Sequence, residues 1–209
     1  MKTLSIEGNI GVGKTTMIEL LQKEFHNRAN ISVFAEPVHT WTPLLKLCYS
    51  EPSRWALTLD IRVMLENFHY QCGNSKQIVI KERSLDSCAN IFLKNEHSEN
   101  LICNEEYETG LKLYNTLSNV EGFRQINSYI YLTAPPEICY SRIKLRAQIQ
   151  DERACENLLP LSYLSSLHTW IDNWLLNCNN TIVIDATSNI EQVYRECLSA
   201  IDKCIADKD

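Results

Sequence analysis

No apolar run in these 209 residues approaches the ~18 that a membrane-spanning helix needs, so none is expected to cross a bilayer. No CxxC pair occurs either. The nine cysteines stand singly and are odd in number, which argues against a disulfide framework or zinc site and for reduced thiols. Basic residues are in the minority, 20 Lys and Arg against 26 Asp and Glu, and a net charge of −6 argues against non-specific nucleic-acid binding. A small anionic ligand held by a few local cations remains compatible with that balance. The chain has no internal repeat and no low-complexity segment. Its opening residues, MKTLSIEG, read as a strand rather than a signal or transit segment, so the expected location is cytoplasmic.

The composition, 44% hydrophobic and 22% charged, is that of a globular protein, and the length suits one α/β domain with a full core. Five short β-branched runs lie at 3–6, 31–35, 78–81, 128–133 and 181–185. Helical patterns fill the gaps at 14–26, 53–71, 84–95, 104–119, 135–149, 160–177 and 189–205. This alternation predicts a doubly wound, five-stranded parallel sheet with helices on both faces. The polar stretch DERACENLL, residues 151–159, has no clear period and reads as a mobile loop, with Pro160 opening the next helix. The expectation is a single domain over 1–209 with a lid near 144–159.

GNIGVGKT, residues 8–15, fits the phosphate-binding pattern G-x-x-x-x-G-K-[ST], which marks a P-loop NTPase-type fold. Strand TLSIE precedes it and an amphipathic helix follows, as that motif requires. Gly8, Gly11 and Gly13 let the backbone curl so that N–H groups, that of Asn9 included, point at phosphate oxygens. The helix N-terminus at Thr15 and Thr16 adds partial positive charge. Lys14 is expected on the outer phosphates and the Thr15 hydroxyl on Mg²⁺. Such a loop serves switches, motors and kinases alike. The N-K-x-D of base-reading GTPases is absent, and the chain is short for a motor.

Two further strand ends carry charge where open α/β sheets place their chemistry. EPVHTW follows the second strand, and its Glu36 can accept a proton from an attacking hydroxyl. KERS ends the third, where Glu82 can hold Mg²⁺ through water and Arg83 can orient a hydroxyl or Glu36.

GNIGVGKTT, EPVHTW, KERS and LPLSYLSSLHTWIDNWL together resemble the deoxyribonucleoside kinase family, over about residues 3–190. That family includes deoxycytidine, deoxyguanosine and thymidine-accepting kinases. The resemblance implies ATP and Mg²⁺, with Glu36 as base for the nucleoside 5′-hydroxyl, Arg83 holding both, and Glu82 aiding the metal. It implies a base slot walled by Trp41, Leu45 and Phe92, and Tyr49 on the sugar 3′-hydroxyl. Arg142 and Arg146 fit its cationic helix, and the partners implied are small molecules and a second copy in a homodimer. The lid is longer than usual by about five residues. Counting back from Pro160 places Arg153 on a phosphate-binding arginine and Glu156 on the acid for the 3′-hydroxyl; counting forward from Arg146 selects Gln148 and Asp151.

The departure from the family lies in WALTLDIRVML, residues 55–65. Asp60 falls where the family carries a base-reading Gln, and no Lys or Arg stands three or four residues away. Ionised, Asp60 only accepts and suits guanine's adjacent donors; protonated, it restores one donor and one acceptor and suits thymine, cytosine or adenine. Burial without a cation pushes its pKa upward. Family members preferring deoxycytidine or purines carry Asp and Arg where this chain has Cys88 and Asn67. Those two residues favour thymidine and other pyrimidines, Cys88 leaving room for a 5-methyl group and Asn67 supplying an amide. A nucleoside monophosphate kinase and a non-catalytic nucleotide-binding subunit are the competing readings.

Overall fold

A computed structural model describes residues 1–72 and 76–206, with all their side chains except those of Asp151 and Glu152. Strand β1 (Lys2–Gly8) is buried along nearly its whole length, and its two faces differ. Leu4 and Ile6 enter the main apolar core, whereas Ser5 and Glu7 face the other way into a polar network. The P-loop then leads into α1 (Lys14–Glu24), β2 (Ile31–Phe34), α2 (Thr42–Ser50), α3 (Pro52–Gln71) and β3 (Ile78–Glu82). A helical run follows as α4 (Leu85–Ser87), a π-helical turn (Cys88–Phe92) and α5 (Leu93–Ser98). The rest comprises α6 (Asn104–Ser118), β4 (Ser128–Thr133), α7 (Pro136–Ile149), a 3₁₀ helix (Asp151–Leu158), α8 (Leu161–Leu175), β5 (Thr181–Asp185) and α9 (Ile190–Ala206).

The five strands form one parallel sheet in the order β2-β3-β1-β4-β5. Because β1 is central, its C-terminus opens between those of β3 and β4, and Ile6 pairs with Glu82 in register. The P-loop, Glu36, and the Glu82–Arg83 pair therefore converge on one edge of the sheet, the crevice such topologies use for ligands. One core packs Leu4, Ile6 and Ile130 against α1 and α9. A second gathers Trp41, Leu45, Met64 and Leu85 from the α2–α3 side, and a third sets Tyr131 of β4 against Leu167 and Ile171 of α8. No helix among the described residues is long and apolar enough to cross a membrane.

Four features depart from the sequence reading. The stretch 42–50, to which the sequence pattern assigns no element, forms α2: Pro43 sits in its first turn, where a missing N–H costs nothing. The helix expected at 84–95 runs on to Ser98 and contains a π-turn. Residues 151–158 form a 3₁₀ helix rather than a loop, tied back to α7 by the buried carboxylate of Glu156. Pro160 lies just before α8 in extended conformation instead of within its first turn.

Candidate active site

The three P-loop glycines adopt positive φ, 142° at Gly8, 82° at Gly11 and 116° at Gly13. Side chains are excluded at two of them for space as well. A Cβ on Gly8 would meet Leu132 O at 2.4 Å, and one on Gly11 would meet Cys139 O at 2.6 Å. Asn9 spends its side chain on the loop itself, donating to Leu164 O (2.8 Å) and accepting from Ile10 N (2.8 Å). Its contribution to a phosphate is thus limited to the main chain. Lys14 Nζ donates to Gly8 O (3.0 Å) and Asn9 O (2.8 Å) and lines the cleft. Burial, with repulsion from Arg83, lowers it to about 7, while Glu82 and Glu36 pull the other way.

Next to Lys14 a polar chain crosses from α1 to β2. Thr15 Oγ1 donates to Glu82 Oε1 (2.8 Å), and Glu36 N donates to Glu82 Oε2 (3.2 Å). Arg83 Nε stands 3.6 Å from Glu36 Oε2, with its guanidinium 5.0 Å above the Phe92 ring. Arg83 holds φ at 57°, a costly value for a side-chain-bearing residue, locked by its N–H donating to Ile6 O (3.0 Å). The turn below is held by Glu7, whose carboxylate accepts from Ser5, Ser84 and Ser87, each hydroxyl at 2.7 Å. Burial raises the pKa of Glu36 and Arg83 draws it back, which suits a base working near neutrality. Thr15 and Glu82 offer oxygen ligands only, the chemistry Mg²⁺ prefers when phosphates complete its shell.

The cleft continues from the phosphate loop into a slot, a cavity of about 410 Å³ in all. Trp41, Leu45, Tyr49, Asp60 and Phe92 line it, together with Thr16, Arg142, Arg146, Arg153 and Glu156. Arg142 clips the P-loop by donating to Val12 O (2.9 Å) and Ala186 O (3.0 Å). Glu156 is only 1% exposed and accepts from Arg146 through Nε and Nη2, both at 2.9 Å, and from Arg153 Nη1 at 3.2 Å. Gln148, the other candidate at the lid, is exposed, and the side chain of Asp151 lies outside the described residues.

The family model described as deoxynucleoside kinase matches the chain over residues 4–206, a span that includes every residue of this cleft. The chain belongs to the deoxynucleoside kinase family. Thymidine kinase 2, mitochondrial, of Macaca fascicularis is 30% identical over 205 residues, 92% of this chain and 73% of that protein. Deoxyguanosine kinase, mitochondrial, of Xenopus laevis is 29% identical over 218 residues, 91% of this chain and 79% of that one. Deoxycytidine kinase of Homo sapiens is 27% identical over 206 residues, 85% and 76% respectively. Membership makes this kinase an ATP-dependent phosphotransferase with a small-molecule acceptor. Relatives named for three different nucleosides at nearly equal identity leave its base to be argued from its own cleft.

Two residues expected to read the base lie outside the lining of the cleft. Asn67 is buried but does not line the cleft; its Oδ1 accepts from Lys81 Nζ (2.9 Å) and its Nδ2 donates to Val63 O (3.1 Å). Lys81, a buried cation lowered by desolvation to about 8, needs that oxygen and the one of Gln71 (2.9 Å), so the amide is not free to face a base. Cys88 packs in the apolar core behind the slot wall, so it opens no room for a 5-methyl group. Conversely, the cleft is lined by Glu96 of α5, Tyr163 of α8 and Cys48 of α2, none of which was anticipated. For Glu96 a signal existed: it stands four residues beyond Phe92, on the same helical face.

Proposed function

We propose that this kinase transfers the γ-phosphoryl group of ATP to the 5′-hydroxyl of a pyrimidine deoxynucleoside, thymidine foremost. The observation that carries the reading is the continuous polar line Lys14–Thr15–Glu82–Glu36–Arg83 ending at the mouth of the apolar slot. A hydroxyl presented between Arg83 and Glu36 loses its proton to Glu36 while Arg83 holds its oxygen. Lys14, Arg146 and Arg153 offer positive charge along the path of the phosphoryl group, where positioning and charge do most of the work. Magnesium held by Thr15 and Glu82 would neutralise phosphate oxygens. Tyr49 and Glu156 line the cleft together, where they would meet the sugar, and burial with the nearby Glu156 carboxylate keeps the Tyr49 hydroxyl protonated.

Support for a pyrimidine comes from Asp60, which burial pushes up to about 7, so that near neutrality it is not the fixed anion that would suit guanine's adjacent donors. A glutamate beside the reacting hydroxyl disfavours an acceptor that already carries phosphate, which weighs against a monophosphate kinase. The same reading includes a homodimer in the cytoplasm, checked in its first part by light scattering of the purified chain.

A panel of the four deoxynucleosides and thymidine monophosphate, with ATP and Mg²⁺, tests it. Thymidine and deoxycytidine are expected to give the highest kcat/KM, and its acid limb is expected above the ordinary carboxylate range because Glu36 is raised. Turnover confined to deoxyguanosine would remove the pyrimidine assignment. Turnover confined to the monophosphate would remove the nucleoside one, and none at all would revive a non-catalytic role.

A further inference from the structure

Glu96 brings a second carboxyl to Asp60 from a different helix. Both residues are buried, at 3% and 4% exposure, both line the cleft, and each shifts the ionisation of the other. Two neighbouring carboxyls buried without a cation cannot both ionise. The pair therefore holds a proton. Apart from this pairing, Asp60 Oδ2 and Glu96 Oε2 have no hydrogen-bond partner among the described residues. Orphaned buried acceptors in the wall of a binding cleft call for a ligand edge to satisfy them.

We propose that Asp60 and Glu96 read the nucleobase jointly, as a carboxyl pair holding one proton, and that the edge they take carries one donor beside one acceptor. The proposal rests on the kinase reading and deepens it. A protonated carboxyl donates and its ionised neighbour accepts, so the pair reproduces what a single amide offers. Since the proton can sit on either residue, the order of donor and acceptor can reverse. The pair then matches both thymine (N3–H beside O4) and cytosine (N3 beside the 4-amino group). Adenine (N1 beside the 6-amino group) presents the same two groups, and guanine does so only through O6 and N1–H; its adjacent N1–H and 2-amino donors would leave the proton facing another proton.

The surroundings favour this state. Asp60 and Glu96 are faced by Cys48 from α2, Cys88 from the π-turn and Tyr163 from α8, and burial keeps all three protonated. On their own helices, Arg62 is paired with Glu66, and Lys94 donates to Asn90. Arg83 and Lys81 act on Cys88, not on the pair, and Tyr114 of α6 is engaged by Asp86. Without a compensating cation, burial pushes both carboxyls upward, and repulsion from Asp60 pushes Glu96 further. The pair therefore keeps one proton to higher pH than an isolated carboxyl would.

The test combines thymidine binding by calorimetry with KM values for thymidine, deoxycytidine, deoxyguanosine and ATP. Glu96→Leu is expected to weaken thymidine binding and raise both pyrimidine KM values roughly tenfold, the worth of one hydrogen bond to a charged group. The KM for ATP stays unchanged. Glu96→Gln, which restores a donor, is expected to remain within about threefold of wild type by the same measure. Thymidine binding should bend near pH 7 in wild type, tightening as Asp60 ionises, and show no bend in Asp60→Asn. Unchanged thymidine binding in Glu96→Leu, equal weakening of ATP and thymidine, or a bend kept in Asp60→Asn would each overturn the pair. So would a Glu96→Leu effect confined to deoxyguanosine. A wild-type protein that binds thymidine with this pH profile but phosphorylates nothing would instead sink the kinase reading and leave the pair standing.

Discussion

The two ends of the cleft solve opposite problems. At the phosphate end Lys14, Arg142, Arg146 and Arg153 all rest on oxygen acceptors, and the loop carrying Lys14 is wedged so tightly that added Cβ atoms would clash. At the base end two carboxyls meet in a largely apolar wall, with no cation acting on them among the described residues, and two oxygens go unpaired. A triphosphate is the same whichever base is attached, so a rigid cradle of backbone and fixed positive charge suffices for it. Bases differ only in the order of donors and acceptors. Groups that can change their protonation are a means of reading such an order, at the cost of burying charge.

The sharpest way to break that contrast is at the reacting hydroxyl. Glu36→Gln is expected to lower kcat by about 10²–10⁴-fold through loss of the base. Thymidine binding measured directly should change little; a loss of binding in place of turnover would move Glu36 to the base-reading end. Next comes the lid anchor. Glu156→Ala leaves Arg146 and Arg153 without their shared carboxylate, and should destabilise the fold by about 2 kcal/mol in urea unfolding. An unchanged midpoint would show that the lid is anchored elsewhere.

A smaller effect is expected from pH. Asp60 titrates at about 7 in the fold, above the ordinary carboxylate range, so the fold binds its proton more tightly than the unfolded chain does. Its stabilising contribution is present in full below that ordinary range and is lost as pH rises towards 7. The melting temperature of wild type should therefore fall relative to Asp60→Asn between about pH 4 and 7 and level off beyond, by ~2–4 °C per kcal/mol lost. Parallel curves would mean that Asp60 is solvated. The smallest effect should follow Cys88→Ala, which lies behind the wall: the thymidine-to-deoxyuridine ratio is expected to change by less than about twofold. A larger change would place Cys88 on the 5-methyl group after all.

Legibility in the sequence followed the range of the forces involved. All five strands and seven of the helical segments were readable because hydrophobic period is set by neighbours along the chain. Helix α2 escaped because it is short and lies between Pro37 and Pro52, with Pro43 in its first turn, so its prolines read as breaks. The 3₁₀ lid escaped because its order comes from Glu156 reaching back to Arg146, not from any period within DERACENLL. Asn67 was assigned to the right helix and the right buried face, yet Lys81 on a strand beneath it claimed its oxygen. No feature of the helix itself announces that competitor.

The residues alone determined the class of the protein. Glycines that tolerate positive φ, a lysine and a threonine at fixed spacing, and carboxylates at strand ends are contiguous features whose chemistry needs only local backbone geometry. The tertiary structure decided which carboxyls share the slot. Asp60 belongs to α3 and Glu96 to α5, and nothing in either segment names the other as partner. Only the packing of those helices around one slot brings two carboxyls close enough to share a proton, because buried like charges cannot both ionise.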